Sequence, residues 1–124
     1  MKKVLFICTF GDFLVSFEQS NISIYQSLGY EVHCAANFDD KIFNKNKDIL
    51  INKGILIHNI PFKRKPWNLS VIKNYFLLKK LVKKYKFDVL DIHNAVCGVI
   101  GRLVGKKCNV KKIVYTPHSF FFFK

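Results

Sequence analysis

Acidic residues are scarce in this chain: 8 Asp and Glu stand against 21 Lys and Arg, giving a formal charge of +13 over 124 residues. Such a field draws anions of any kind, including nucleic acid, anionic lipid and phosphorylated substrates. No helix-turn-helix, zinc or RNP-like motif accompanies the charge, so a basic nucleic-acid-binding module ranks low and no specific nucleic acid is expected as a partner. Long apolar runs are also missing. None approaches the roughly 20 residues that span a bilayer, which restricts any membrane contact to a peripheral one. The four cysteines, Cys8, Cys34, Cys97 and Cys108, contain no C-x-x-C pair and read as buried reduced thiols, not as zinc ligands or disulfides. Lys2-Lys3 followed by an apolar run imitates a signal peptide. Gly11-Asp12 interrupts that run and no small-residue cleavage site comes after it, so it reads as the first strand of a cytoplasmic protein. The turn after it lacks G-x-G-x-x-G, which argues against an NAD or FAD cofactor. There is no internal repeat and no flexible linker.

What is present suits one folded domain. Half the residues are hydrophobic and 15% are aromatic, far too apolar for a disordered chain. The basic residues recur at 45–47, 63–65, 79–86 and 106–112 between apolar runs, as solvated faces do. Short runs rich in Val, Ile and Phe alternate with stretches of helical period, the pattern of a parallel sheet covered on both faces. Strands are predicted at 3–9, 31–36, 55–60, 88–92 and 112–116, with four helical segments between them. The fold class is therefore α/β, a doubly wound parallel sheet of about five strands in the order 3-2-1-4-5 with helices on both faces. That order puts the switch point between strands one and four, so the loops after Thr9 and Ile92 flank the expected ligand crevice.

Several segments on that framework carry chemistry. Gly11 permits backbone amides to approach a phosphate at a helix N-terminus, or else forms a plain turn. His93 and Asn94 fall at the carboxyl end of strand four, where a histidine is either structural or directed at a ligand. After strand three, Lys63, Arg64 and Lys65 lie between Phe62 and Trp67. This loop either grips a phosphate or membrane surface, or is solvated with its two rings folded back on the core. In the helix over 69–86, Val71, Tyr75, Leu78, Val82 and Tyr85 form an apolar stripe, and Lys73, Lys80 and Lys84 project from the opposite side. Gly98, Gly101 and Gly105 fall within a sector of about 60° on the helix over 95–107, predicting close backbone approach to a sheet or a second helix. Residues 120–123 are four consecutive phenylalanines, an implausible free terminus for a soluble chain and one expected to be covered by the remainder of a longer protein.

The ordered set K-V-L-F-I-C-T, G-Y-E-V-H-C-A-A-N, H-N-I-P-F-K-R-K-P-W-N-L, K-F-D-V-L-D-I-H-N and I-V-Y-T-P-H-S-F-F-F-F resembles family-4 glycosyltransferases, in particular those building capsular and other surface polysaccharides. The resemblance covers essentially the whole chain. It implies a Rossmann-like N-terminal domain over 1–124 that holds the acceptor, facing a C-terminal donor-binding domain that is absent from the sequence. It implies sugar transfer from a sugar nucleotide with retention and without a metal or other cofactor. Gly11 and Asp12 would then occupy the acceptor-side loop, together with His93 and Asn94, and His118 would match the histidine near the transferred sugar. Phe13, Glu18, Asp91 and Phe121 stand where relatives often carry histidines. Expected partners are a lipid-linked or saccharide acceptor, an anionic membrane surface at the inner face of the cell membrane, and a donor-binding domain or subunit. Activity by this chain alone is not expected, because transfer needs donor and acceptor aligned in one closed site. An alternative is a two-chain transferase in which a separate protein supplies the donor half.

Overall fold

The computed structural model describes residues 1–11, 14–15, 18–39, 47–63 and 70–116. At its centre is β1 (Lys3–Phe10), with six consecutive buried residues. A strand apolar on both faces needs cover on both, and β1 obtains it from helices packed on the two faces of a five-stranded parallel sheet. Its neighbours are β2 (Glu31–Asn37) and β4 (Val89–His93), while β3 (Leu56–Asn59) and β5 (Lys112–Thr116) form the edges. The order is β3-β2-β1-β4-β5, as the alternation of strand and helix predicts.

Between the strands run α1 (Gln19–Ser27), α2 (Lys47–Asn52), α3 (Ser70–Tyr85) and α4 (Ala95–Lys107). The period-two alternation of the strands divides the core. Leu5, Ile7, Leu90 and Ile92 face α3 and α4, where Leu78, Val82, Ile100 and Val104 cover them. Val4, Phe6, Cys8 and Val89 face the other way, toward Ile22 of α1 and Leu50 of α2. Each fully buried Leu or Ile contributes about 2 kcal/mol by leaving water. Truncating Leu78 to alanine would remove that and open a cavity, at a cost of about 2–5 kcal/mol.

Three of the helices stop in the same way. Tyr30 N–H donates to the Tyr25 carbonyl, Ile55 to Leu50 and Val110 to Gly105, each bond spanning five residues back into the helix. That closure requires a positive φ at the preceding residue. Gly29 supplies it at 87°, Gly54 at 81° and Asn109 at 57°.

The three glycines of α4 approach the sheet, not a second helix. A Cβ on Gly101 would meet Ile92 Cδ1 at 2.8 Å, and one on Gly105 would meet Ile113 Cδ1 at 2.6 Å. Phe62 is wholly buried against the α3 and α4 side of the sheet. Of the two readings of the basic loop, its ring therefore obeys the one that folds back on the core. Phe62 is not available to enter a membrane, and Trp67 lies outside the described residues. All four thiols are free, with Cys8, Cys34 and Cys97 buried and Cys108 half-buried.

Candidate functional site

Because β1 and β4 are neighbours, their carboxyl ends share one rim of the sheet, and the chain is pinned across it. Asn94 Oδ1 accepts a hydrogen bond from Thr9 N–H at 3.2 Å. Asn94 is also the residue before α4, with φ 75° and ψ 151°. Glycine alone adopts that region without strain, and a non-glycine residue there costs about 1–3 kcal/mol. Its carbonyl accepts the first helical bond, from Gly98 N–H at 2.9 Å. The strained residue thus does two tasks at once, starting the helix and holding the two strand ends together. Gly11, two residues after Thr9, is buried.

His93, next in line, turns beneath the sheet. Its ring stacks on Phe6 with centroids 6.1 Å apart and planes 2° from parallel. Nε2 lies 2.8 Å from Asp91 Oδ1 and 3.4 Å from Glu18 Oε1, and all three side chains are buried. Asp91 reaches this place because residues two apart on a strand share a face. Glu18 arrives from the start of α1, where Asn21 Nδ2 also donates to its Oε1 at 2.9 Å. These three line a cavity of 430 Å³ with Tyr25, Tyr30 and Lys112. Burial, then the charge of Asp91, raises the Tyr25 hydroxyl pKa, so the phenol stays protonated near neutral pH.

Of the residues singled out from the sequence, Gly11, His93 and Asn94 come to this one rim. Asp12 and His118 lie outside the described residues, as do Arg64, Lys65 and Trp67. Lys63 is exposed after β3, and Lys73, Lys80 and Lys84 are exposed along α3. Asn74 Nδ2 donates to the Pro61 carbonyl at 3.0 Å, tying the start of α3 to the segment that carries Lys63. The apolar stripe does face inward, with Leu78 and Val82 buried and Val71, Tyr75 and Tyr85 packed on the core. Sequence reasoning missed Ile72 and Phe76, which stand 60% and 59% exposed on the same helix as the lysines.

A second histidine site was also missed. His33 Nδ1 lies 2.8 Å from His58 Nε2, and His33 Nε2 meets Glu31 Oε1 at 2.5 Å. Since His33 donates to the carboxylate through Nε2, its Nδ1 accepts, and His58 Nε2–H is the donor. The pair stacks with centroids 5.1 Å apart, beside Tyr85. Burial, with the neighbouring His33 and Lys84, lowers the His58 pKa to about 4.

This arrangement, a doubly wound sheet with a pinned rim between β1 and β4, fits many chemistries, and comparison with known proteins narrows it. The profile of the family described as Glycosyl transferase 4-like matches residues 3–124. The chain belongs to that family. Among its relatives is EpsD of Bacillus subtilis, named as a glycosyltransferase and 30% identical over 125 residues, covering 99% of this chain and 30% of that protein. A galactosyltransferase of Escherichia coli, named for transfer from UDP-Gal to alpha-D-GlcNAc-diphosphoundecaprenol, is 36% identical over 58 residues, covering 44% of this chain and 15% of that one. Among solved structures, MurG of Acinetobacter baumannii superposes with a TM-score of 0.70 at 16% identity, over 93% of this chain and 35% of that one. That likeness shows the fold, the Rossmann-like sheet expected of a family-4 domain. The chain spans about a third of the length of EpsD and of MurG.

Proposed function

We propose that this chain is the acceptor-binding portion of a retaining, sugar-nucleotide-dependent glycosyltransferase for cell-surface polysaccharide synthesis. The observation that carries the proposal is the rim between β1 and β4. There a strained Asn94 holds Thr9 and starts α4, in a chain whose family match runs from residue 3 to residue 124. Strain of that kind persists where the surroundings over-determine it, and ligand sites are where it collects. Gly11 and Asn94 would line the acceptor side, and Asp12 and His118 would complete it.

The acceptor in this proposal is a lipid-linked saccharide, the class named for the Escherichia coli relative. Such a substrate resides at a membrane, and no helix among the described residues is long and apolar enough to cross one. Contact would instead be peripheral, at the inner face of the cell membrane. Lys63, Lys73, Lys80 and Lys84 supply charge, with Arg64, Lys65 and Trp67 following Lys63 in the sequence, and exposed Ile72 and Phe76 supply apolar side chains beside the lysines of α3. Turnover would require a donor-binding domain or subunit, since the donor diphosphate must be stabilised in the same closed site.

To test the reading, the chain is titrated separately with a short-chain polyprenyl-diphosphate GlcNAc and with a UDP-sugar while backbone amide resonances are monitored. Shifts at Thr9, Gly11 and Asn94 with the first ligand and none with the second are expected. The reverse pattern would overturn the acceptor assignment. Sugar transfer should appear after addition of a donor-binding half and not before.

A further inference from the structure

Glu18, Asp91 and His93 form the one group of three ligand-type side chains among the described residues whose donor atoms all fall within 4.8 Å of one another. All three are more than nine-tenths buried, at 4%, 6% and 2% exposure. Two carboxyl groups and one imidazole thus bring two oxygen donors and one nitrogen donor together in one buried place. Among the described residues no Lys or Arg forms an ion pair with either carboxylate. The positive end of the α1 dipole sits at Glu18 and offsets a fraction of one charge. Burying acidic side chains without a paired cation is costly, and Lys112, the basic residue that lines the adjoining cavity, is exposed and makes no ion pair with Glu18 or Asp91. In a protein carrying +13, two acidic side chains buried beside a histidine form an exceptional cluster, and its donor set is one that a cation would complete.

We propose that these three side chains bind a divalent first-row metal ion, with Zn²⁺ the best fit. One imidazole nitrogen and two carboxylate oxygens suit zinc, which takes three protein ligands and leaves a fourth position for water. Tetrahedral bonds of about 2.0–2.1 Å place ligand atoms roughly 3.3 Å apart. The distances here of 2.8 and 3.4 Å from Nε2 to the two oxygens bracket that value. The adjoining 430 Å³ cavity gives the ion an entry path and the open position a space to face. A bound ion would fasten the start of α1 to the end of β4. It would set two positive charges against the two carboxyl groups, and ligation of a metal uses the neutral form of an imidazole. His93 stands on the rim that the acceptor reading also uses, but metal binding is read out without sugar transfer, so the two readings can fail separately.

The test uses the full chain in a Cys108→Ser background, which removes the half-buried thiol as a competing ligand. After chelator treatment the protein is titrated with Co²⁺, monitored by visible absorption, and with Zn²⁺, monitored by calorimetry and thermal melting. One ion per chain, a cobalt spectrum of low coordination number and a zinc-dependent rise in Tm are expected. Glu18→Gln and His93→Gln should each weaken zinc binding at least tenfold and abolish the Tm rise. Without metal, Glu18→Gln should melt no lower than the parent, since it removes a buried charge. Absence of cobalt and zinc binding by the parent overturns the proposal whatever the variants do. So does binding that Glu18→Gln leaves unchanged in a protein shown to be folded, because the ion would then sit elsewhere, for instance at His33 and His58.

Discussion

The ring of Tyr115 on β5 lies flush against the backbone of Gly98 on α4, with Tyr115 Cζ 2.8 Å from where a Cβ on Gly98 would stand. Arg102, one turn along, covers the same ring at 5.6 Å. Replacing Gly98 with alanine would favour the helix by about 1 kcal/mol through propensity. It would also drive a methyl into an aromatic ring that Arg102 of the same helix already covers, at a cost of about 1–3 kcal/mol. Gly98→Ala should therefore be destabilising in urea unfolding, and a Gly98→Ala, Tyr115→Leu double variant should recover most of the loss. A stabilised single variant would show that the ring moves freely.

Asn94 makes a second backbone prediction. Asn94→Ala keeps the unfavourable φ and leaves the Thr9 N–H without its acceptor, at a cost of about 1–3 kcal/mol. Asn94→Gly loses the same bond and relieves the strain. Chemical denaturation should rank the wild type first, glycine second and alanine last.

The histidine pair sets a pH response. His58 has its pKa lowered to about 4 from the ordinary 6.5, so between those values the unfolded chain binds more protons than the folded one. Stability is then full above pH 6.5 and falls as the pH drops toward 4. His58 is partly exposed, so solvent screening reduces the effect to on the order of 1–2 kcal/mol. Replacing His58 with glutamine should flatten the stability profile across that window, measured as urea midpoints at half-unit pH steps.

The basic ridge of α3 has a direct assay. Lys73, Lys80 and Lys84 each contribute on the order of 1 kcal/mol near an anionic bilayer, so changing all three to glutamine should weaken sedimentation with anionic vesicles about a hundredfold. High salt should reproduce part of that loss. An Ile72→Ser, Phe76→Ser variant should weaken binding in a manner that salt does not mimic. Equal binding of the triple variant and the parent would reduce α3 to ordinary solvated surface.

The sheet was legible in the sequence because each strand is an apolar run long enough to be recognised alone. The bounds of α4 were legible too, since Asn94 and Asn109 punctuate a segment of helical period. Its glycines were correctly read as points of close approach, and the structure chose the sheet over a neighbouring helix. The cluster at His93 was legible in part. Asp91 and His93 share a strand face by alternation, but nothing in the spacing shows that Glu18 arrives above them, because that depends on how α1 docks. His33 and His58 meet on a diagonal set by the register that pairs His33 with Leu56 and Ala35 with His58. A one-residue slip would have sent them to opposite faces. Ile72 and Phe76 escaped notice because they fall off the stripe that α3 buries, and a pattern search for a core looks along the stripe.

The central position of β1 has a consequence during synthesis on the ribosome. Of the five strands it emerges before its partners, and β2 can join one edge of it soon afterwards. The other edge waits for β4, since Lys3 and Asp88, which are hydrogen-bonded in the finished sheet, are 85 residues apart. At translation speeds of roughly 5–20 residues per second, that edge stays open for roughly 4–17 seconds. An unpaired strand that is apolar on both faces is a template for other chains throughout that interval. Slower arrival of β4 is therefore expected to lower soluble yield, an effect of codon choice or chaperone supply over residues 30–90 that melting experiments on the purified protein do not register.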